Sequence, residues 1–299
     1  MDSIAHDFPP FFRVHKDGRV ERFMVSDYVP PAVDPKTGVE FKDTLISPET
    51  GVKARIFLPK INGPDHKLPL LVHYHGGGFC MGSSLDTVTL RFLTSLASQA
   101  HLIAISVDYR LAPEHPLPIA YEDSWSALQW IATHSNGQGP DPWLNQYADF
   151  GRVFLAGESA GANIAHQVAV RVGTVGLEGF MPRGVIIIHP YFAGSEPDKM
   201  IQYLYPGSSG SEDDPNLSPK EDPNLTKMGC SKVIVFVAEK DRLKPRGVEY
   251  YETLKNSGWE GRVEFVEDKG KDHCFHMFSP NSDKVVGLMQ RLGTFVNEN

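Results

Sequence analysis

Gly157-Glu158-Ser159-Ala160-Gly161 sets a serine between two glycines in the pattern G-x-S-x-G, and its flanks give the pattern meaning. Val153-Phe154-Leu155-Ala156 before it is a short apolar run that reads as a buried strand. Ala160 to Arg171 after it is rich in alanine and free of proline, and reads as a helix. A serine on so tight a strand-to-helix turn is held in a strained backbone conformation, with its hydroxyl pushed out at the end of the sheet, as a nucleophile requires. The letters alone are a weak signal, because an ordinary glycine-rich turn with Ser159 capping the helix would share them.

Acyl transfer also needs amide donors aimed at the oxygen that becomes negative in the transition state. His75-Gly76-Gly77-Gly78-Phe79, directly after the apolar run Pro69 to Tyr74, has the composition for it. Three consecutive glycines cost chain entropy and make sense where backbone must approach a ligand with no side chain between them. The expected donors are the amides of Gly76, Gly77 and Ala160. A merely flexible loop is the competing reading.

A serine hydroxyl needs a base within hydrogen-bond reach, and the base needs an orienting acid. In sheets with a nucleophile elbow the acid and then the histidine follow later strands. Val233 to Ala238 precedes Glu239-Lys240-Asp241, and Val263 to Val266 precedes Asp272-His273-Cys274-Phe275-His276. Asp241 is the preferred acid over Asp272 and Glu239, since the side chains of sequence neighbours such as Asp272 and His273 rarely aim at each other. His273 is preferred over His276 because it comes first after its strand. His75 reads as ordering the glycine loop, and His166 and His189 read as packed histidines.

These loops must leave one end of one sheet. From about residue 40, near-continuous apolar strands alternate with helical stretches, the mark of a parallel sheet covered on both faces. Two regions stand outside that rhythm. Residues 1 to 45 carry Phe8-Pro9-Pro10-Phe11-Phe12 and turn-rich prolines, and read either as an arm across the domain or as an arm whose aromatics close a pocket. Residues 191 to 231 are rich in Pro, Gly, Ser and Asp, yet hold Tyr191, Phe192, Met200 and Tyr203, which favours a partly ordered lid over a disordered insertion. A single domain over residues 1–299, capped by these two regions, is expected.

The chain of 299 residues is 41% apolar, enough for a large core, and carries a net charge of −8. An acidic surface without a basic cluster argues against nucleic-acid and anionic-membrane partners. The longest apolar runs are strand-sized, so no membrane span is expected. Met1 to Asp7 has neither a positive nor an apolar segment of the secretory kind. Three scattered cysteines do not suggest a disulfide framework, and a reduced, cytoplasmic setting is expected.

His75-Gly76-Gly77-Gly78-Phe79, Asp108-Tyr109-Arg110-Leu111-Ala112-Pro113-Glu114-His115-Pro116, Gly157-Glu158-Ser159-Ala160-Gly161-Ala162-Asn163, Ala238-Glu239-Lys240-Asp241 and Asp272-His273-Cys274-Phe275-His276 together resemble the plant carboxylesterases. That family lies in the hormone-sensitive-lipase branch of the α/β-hydrolases, and the resemblance spans nearly the whole chain. It implies an α/β-hydrolase fold: a mostly parallel eight-stranded sheet with helices on both faces and a small cap. It implies Ser159, Asp241 and His273 as a triad, and Gly76, Gly77 and Ala160 as the oxyanion hole. The stretch from Gly194 to Tyr205 looks shorter than the family's helical lid, which leaves pocket shape open.

A serine carboxylesterase acting on small-acyl esters of apolar or aromatic alcohols is the leading expectation, with Phe79, Tyr191 and Phe192 against the substrate and no metal or cofactor. The same resemblance extends to 2-hydroxyisoflavanone dehydratases and alkaloid cyclases, which would use the base and oxyanion hole without an acyl-enzyme. It extends also to gibberellin receptors, which have lost the catalytic histidine; the intact His273 motif argues against that reading.

Overall fold

The computed structural model describes residues 3–61, 63, 67–278 and 282–298; Met1 and Asp2 of the N-terminal stretch lie outside them. The arm opens as a small antiparallel sheet of β1 (Ile4–Phe8), β2 (Phe12–His15) and β3 (Val20–Arg22). Three antiparallel strands follow, β4 (Ala32–Val33), β5 (Glu40–Leu45) and β6 (Lys53–Leu58). The parallel strands are β7 (Leu68–Tyr74), β8 (Ile103–Asp108), β9 (Ala148–Glu158), β10 (Gly184–Ile188), β11 (Lys232–Ala238) and β12 (Arg262–Asp268).

The main sheet runs β12-β11-β10-β9-β7-β8-β6-β5-β4. Among the described residues it has nine strands rather than the expected eight. The additional one is the two-residue β4, brought onto β5 by the turn at Asp34 to Gly38, where the Gly38 N–H donates to the Asp34 carbonyl at 2.8 Å.

The apolar strand runs are explained by two cores. In β11, Val233, Val235 and Val237 face one cluster, while Ile234 and Phe236 face the other. The first cluster is shared with α2 (Ile119–Ala132), α4 (Ala160–Val175) and α6 (Lys244–Asn256). The second is shared with α1 (Thr87–Ala100) and α8 (Asp283–Asn297). Both faces of the central strands are therefore dry, so their side chains do not alternate in polarity. A short α3 (Pro142–Tyr147), capped by Asp141 through Trp143 N–H at 2.9 Å, leads into β9.

Residues 191–231 are ordered by the apolar side chains they carry. They form α5 (Lys199–Leu204), capped by Asp198, and two short 3-10 turns. Ile201, Leu204, Leu217 and Leu225 are buried. The arm is riveted to the same end of the molecule by Arg22. Its guanidinium donates to both carboxylate oxygens of Glu114 (2.8 and 2.6 Å) and to the carbonyls of Cys80 and Ala112. Phe8 and Phe12 pack on Tyr203 just beyond α5's buried Ile201. The arm strands escaped sequence reading because β1 is largely exposed and none shows a clear period of two. No helix among the described residues is long and apolar enough to cross a membrane.

Candidate active site

Parallel pairing puts the chemistry at one edge. Tyr74 pairs with Gly157, Glu158 with Ile188, Ile188 with Phe236, and Ala238 with Asp268. The loops after β7, β9, β10, β11 and β12 therefore leave the sheet at one end, where open parallel sheets bind ligands.

Ser159 sits on the turn from β9 into α4 with φ +55° and ψ −119°. Such backbone costs a non-glycine residue about 1–3 kcal/mol and persists only where the surroundings enforce it. Here the Ser159 N–H donates to Ile188 O at 3.0 Å, and its carbonyl accepts from Tyr191 N–H at 2.9 Å. The side chain makes no capping bond to α4, so the capping reading fails and the hydroxyl is left for other work. The turn is tight because Gly161 lies on the end of β7. A Cβ there would stand 1.9 Å from the Tyr74 carbonyl oxygen and 2.6 Å from that of His75. Gly161→Ala is expected to cost at least about 3 kcal/mol, since both obstacles are backbone. Denaturant unfolding measures it, and a loss under about 1 kcal/mol would contradict the packing described.

Asp241 and His273 meet. His273 Nδ1 lies 2.6 Å from Asp241 Oδ2, and Leu243 N–H donates to Oδ1 at 2.8 Å. Burial pushes the Asp241 carboxyl up, but the hydrogen bond from His273, the Leu243 amide and the charges of His273 and His189 more than reverse it, and it titrates below its ordinary value. The rivals go elsewhere. Asp272 is exposed and Glu239 accepts from Gly270 N–H at 2.7 Å, bracing the loop that carries His273. His276 is 1% exposed, packs edge-on against Phe92, and is held well below its ordinary pKa by burial and then by the neighbouring histidines.

Ser159, Asp241 and His273 line one cavity of about 780 Å³. Among the described residues no hydrogen bond joins Ser159 to His273, whose Nδ1 is engaged by Asp241. The glycine loop forms the facing wall. Gly77 has φ +115°, and a Cβ there would stand 2.0 Å from the Met81 carbonyl oxygen. Gly76, expected among the oxyanion donors, is engaged: its N–H donates to Glu158 Oε1 at 2.6 Å. The N–H groups of Gly77, Gly78 and Ala160 have no acceptor among the described residues, so Gly78, unlike Gly76, has an amide left to donate.

Glu158 went unnoticed in the sequence, although it occupies the first variable position of the elbow. Its other oxygen lies 2.8 Å from His73 Nε2, and His73 Nδ1 lies 2.8 Å from Ser106 Oγ. This buried carboxylate ties the elbow to the glycine loop. Its only sequence signal is an acidic residue soon after the apolar run Val153 to Ala156. His75 is structural as expected: its ring stacks on Tyr109 at 4.3 Å and its carbonyl accepts from the Tyr109 hydroxyl. His166 is buried on α4, held at 3.1 Å from the Tyr250 hydroxyl and pushed by burial down to about 3.

Of the three expected substrate contacts, only Tyr191 faces the cavity. Its hydroxyl donates to Asp198 at 3.3 Å, and burial, then the Asp198 charge, pushes the phenol up. Phe192 points the other way, stacked on Tyr250 at 4.9 Å, because successive side chains of extended backbone take opposite sides. Phe79, with φ +63° after the glycines, turns into the core and meets Tyr191 edge-on from behind at 6.1 Å. The apolar wall comes instead from Phe8 and Phe11 of the arm, Met200 and Ile201 of α5, and Met277 and Phe278 of α7 (Phe275–Phe278). The arm both packs on the domain through Arg22 and contributes Phe8 and Phe11 to the cavity wall.

Among the described residues, His189, His273 and Cys274 bring metal-ligand atoms within 4.8 Å of one another. The donor set does not suit a metal. The Cys274 N–H bond to His189 Nδ1 leaves that ring's proton on Nε2, and burial holds the Cys274 thiol well above its ordinary pKa, against the thiolate a metal needs.

Residues 71–277 match the family model described as alpha/beta hydrolase fold. A 2-hydroxyisoflavanone dehydratase of Glycyrrhiza echinata is 44% identical over 98% of this chain and 96% of its own length. Probable carboxylesterase 1 of Arabidopsis thaliana is 42% identical over 100% and 99%. Among solved structures, an esterase of Pyrobaculum calidifontis superposes with a TM-score of 0.71 at 26% identity, covering 86% of this chain and 84% of that one.

Proposed function

Since this chain belongs to the alpha/beta hydrolase fold family, we propose that it is a serine carboxylesterase whose triad is Ser159, His273 and Asp241. The observation that carries the reading is the 2.6 Å bond from His273 to Asp241 in the cavity that also holds Ser159 on its strained turn. Ser159 Oγ attacks the ester carbonyl while His273 Nε2 takes its proton. Asp241 keeps the other ring proton on Nδ1 and supports the imidazolium. The tetrahedral oxyanion rests on the free amides of Gly77, Gly78 and Ala160. Collapse expels the alcohol, protonated by His273, and leaves an acyl-enzyme that water hydrolyses by the same steps in reverse order. No step calls on a metal or cofactor.

A cavity of about 780 Å³ walled by Phe8, Phe11, Met200 and Met277 supports apolar or aromatic alcohols carrying small acyl groups. The net charge of −8 speaks against nucleic acid as a partner. Three free cysteines, two of them buried, support a reducing, cytoplasmic setting. One catalytic domain with cap elements from residues 1–45 and 191–231 is the organisation we assign.

The 44% identical relative motivates a second reading, a dehydratase. His273 would then remove a proton beside a carbonyl, and the oxyanion hole would hold the resulting enolate. The enolate would re-form the carbonyl and expel the β-hydroxyl, which takes the proton back from His273 and leaves as water, and Ser159 would form no covalent bond. A panel of aryl acetates, longer acyl esters and 2-hydroxyisoflavanone separates the two. Turnover of aryl acetates well above elimination supports the esterase; elimination without ester turnover sinks it.

A further inference from the structure

Behind His273 lies a second acid–histidine pair that the proposed mechanism does not use. His189 follows β10, is 1% exposed, and does not line the cavity. Its ring is packed among those of His273, Phe275 and His276, with centroids 6.1, 5.8 and 5.6 Å away. The Cys274 N–H donates to His189 Nδ1 at 2.9 Å. A backbone amide can only donate, so Nδ1 must offer a lone pair, and the ring's one proton sits on Nε2. Nε2 faces Asp268 Oδ2, 4.0 Å away at the end of β12. Neither of these buried atoms has a hydrogen-bond partner among the described residues, and at 4.0 Å the carboxylate stands beside Nε2 as a charge rather than as a bonded acceptor.

The backbone at both ends of the Cys274–His189 bond is strained. His189 has φ +44° and Cys274 has φ +51°, in the left-handed region that side chains disfavour. Strain of about 1–3 kcal/mol per residue needs something to hold it. At His189 the backbone N–H is fixed to Phe236 O at 2.9 Å. At Cys274 the amide is fixed by the His189 ring. Cys274 is the residue after His273, so the His189 ring sets where the general base stands.

We propose that His189 is a positioning residue for His273: its Nδ1 anchors the Cys274 amide, and the Asp268 carboxylate beside Nε2 favours the tautomer that can accept. This rests on His273 being the base. The pair acts by geometry and transfers no proton to substrate. A misplacement of the base by about 1 Å costs roughly 100-fold in rate.

Asparagine tests this directly. Its Oδ1 stands close to where His Nδ1 stands, and it tolerates the left-handed backbone. His189→Asn is expected to keep kcat for an aryl acetate within about 5-fold of the wild type, whereas His189→Ala lowers it roughly 100-fold, with KM changed less than 3-fold in both. Asp268→Leu, which removes the carboxylate beside Nε2–H, should fall between the two. The strongly downfield Nδ1 proton resonance of His273, bonded to Asp241, should persist in the Asn variant and broaden or vanish in the Ala variant. That resonance reads the position of His273 whether or not the protein hydrolyses esters, so it separates this inference from the esterase reading. Equal kcat in the Ala variant and the wild type, an Asn variant as impaired as the Ala variant, or a resonance unchanged in the Ala variant would each overturn it.

Discussion

Ser159→Ala is expected to lower kcat on an aryl acetate by roughly 10⁶-fold while leaving KM and thermal stability close to those of the parent, the scale seen when a serine nucleophile is removed from a working triad. The stability half of the expectation follows from the turn. Ser159 Oγ caps no helix, and the bonds that hold the strained backbone, to Ile188 O and from Tyr191 N–H, are main-chain and survive the substitution. The rate half follows from the mechanism: without Oγ no acyl-enzyme forms, and what remains is the oxyanion hole acting on water, worth roughly 10³–10⁴-fold over solution. The same variant sorts the two functional readings. An elimination that needs only His273 and the amide donors should survive it. Loss of hydrolysis with retention of elimination would assign the cavity to both chemistries, and a hydrolytic loss under about 10-fold would place the nucleophile elsewhere.

Asp241→Asn should cost roughly 10⁴-fold in kcat, the penalty of fixing the wrong histidine tautomer. The local hydrogen bonds say why the tautomer must change. Leu243 N–H donates to Oδ1 at 2.8 Å, so the amide carbonyl of an asparagine is held on that side. The amide nitrogen then faces His273 Nδ1, now 2.6 Å from an acceptor, and would give it a donor. His273 must turn its proton to Nε2 and can no longer receive one from Ser159. The variant also has a pH signature in stability. The Asp241 carboxyl is lowered in the fold, so it stabilises the native state above the ordinary carboxylate value, and that stabilisation is lost as pH falls through the lowered value. Asparagine lacks this dependence. The stability gap between parent and variant should therefore be widest near neutrality and close on acidification below about pH 4. A gap that widens on acidification would reverse the sign of the shift.

The sheet was legible because its strands are dry on both faces: Leu70 to Tyr74 and Val233 to Ala238 advertise themselves by composition alone. The order of Ser159, Asp241 and His273 along the chain was legible for a topological reason, since parallel strands send successive loops to one edge. What stayed hidden depends on direction rather than position. Phe79 and Phe192 sit in loops at the right edge, yet a positive φ at one and simple alternation at the other turn both rings into the core. Gly76 is likewise at the right place with its amide already spent on Glu158. Glu158 itself could not be placed, because a carboxylate in a buried strand end gains its meaning from His73 and Gly76, 85 and 82 residues away. The arm resisted for another reason: its short strands lean on Tyr203 and Glu114, contacts that no local pattern records.

The central claim is that Ser159 is the nucleophile of a triad working in this cavity. A serine-directed organophosphate, followed by intact mass and peptide mapping alongside residual ester hydrolysis, tests it most directly. The account predicts one adduct per chain, on Ser159, with hydrolysis lost in step with labelling and labelling slowed by Asp241→Asn. An enzyme that still hydrolyses esters with Ser159 fully labelled, or that loses activity with Ser159 unlabelled, would contradict it.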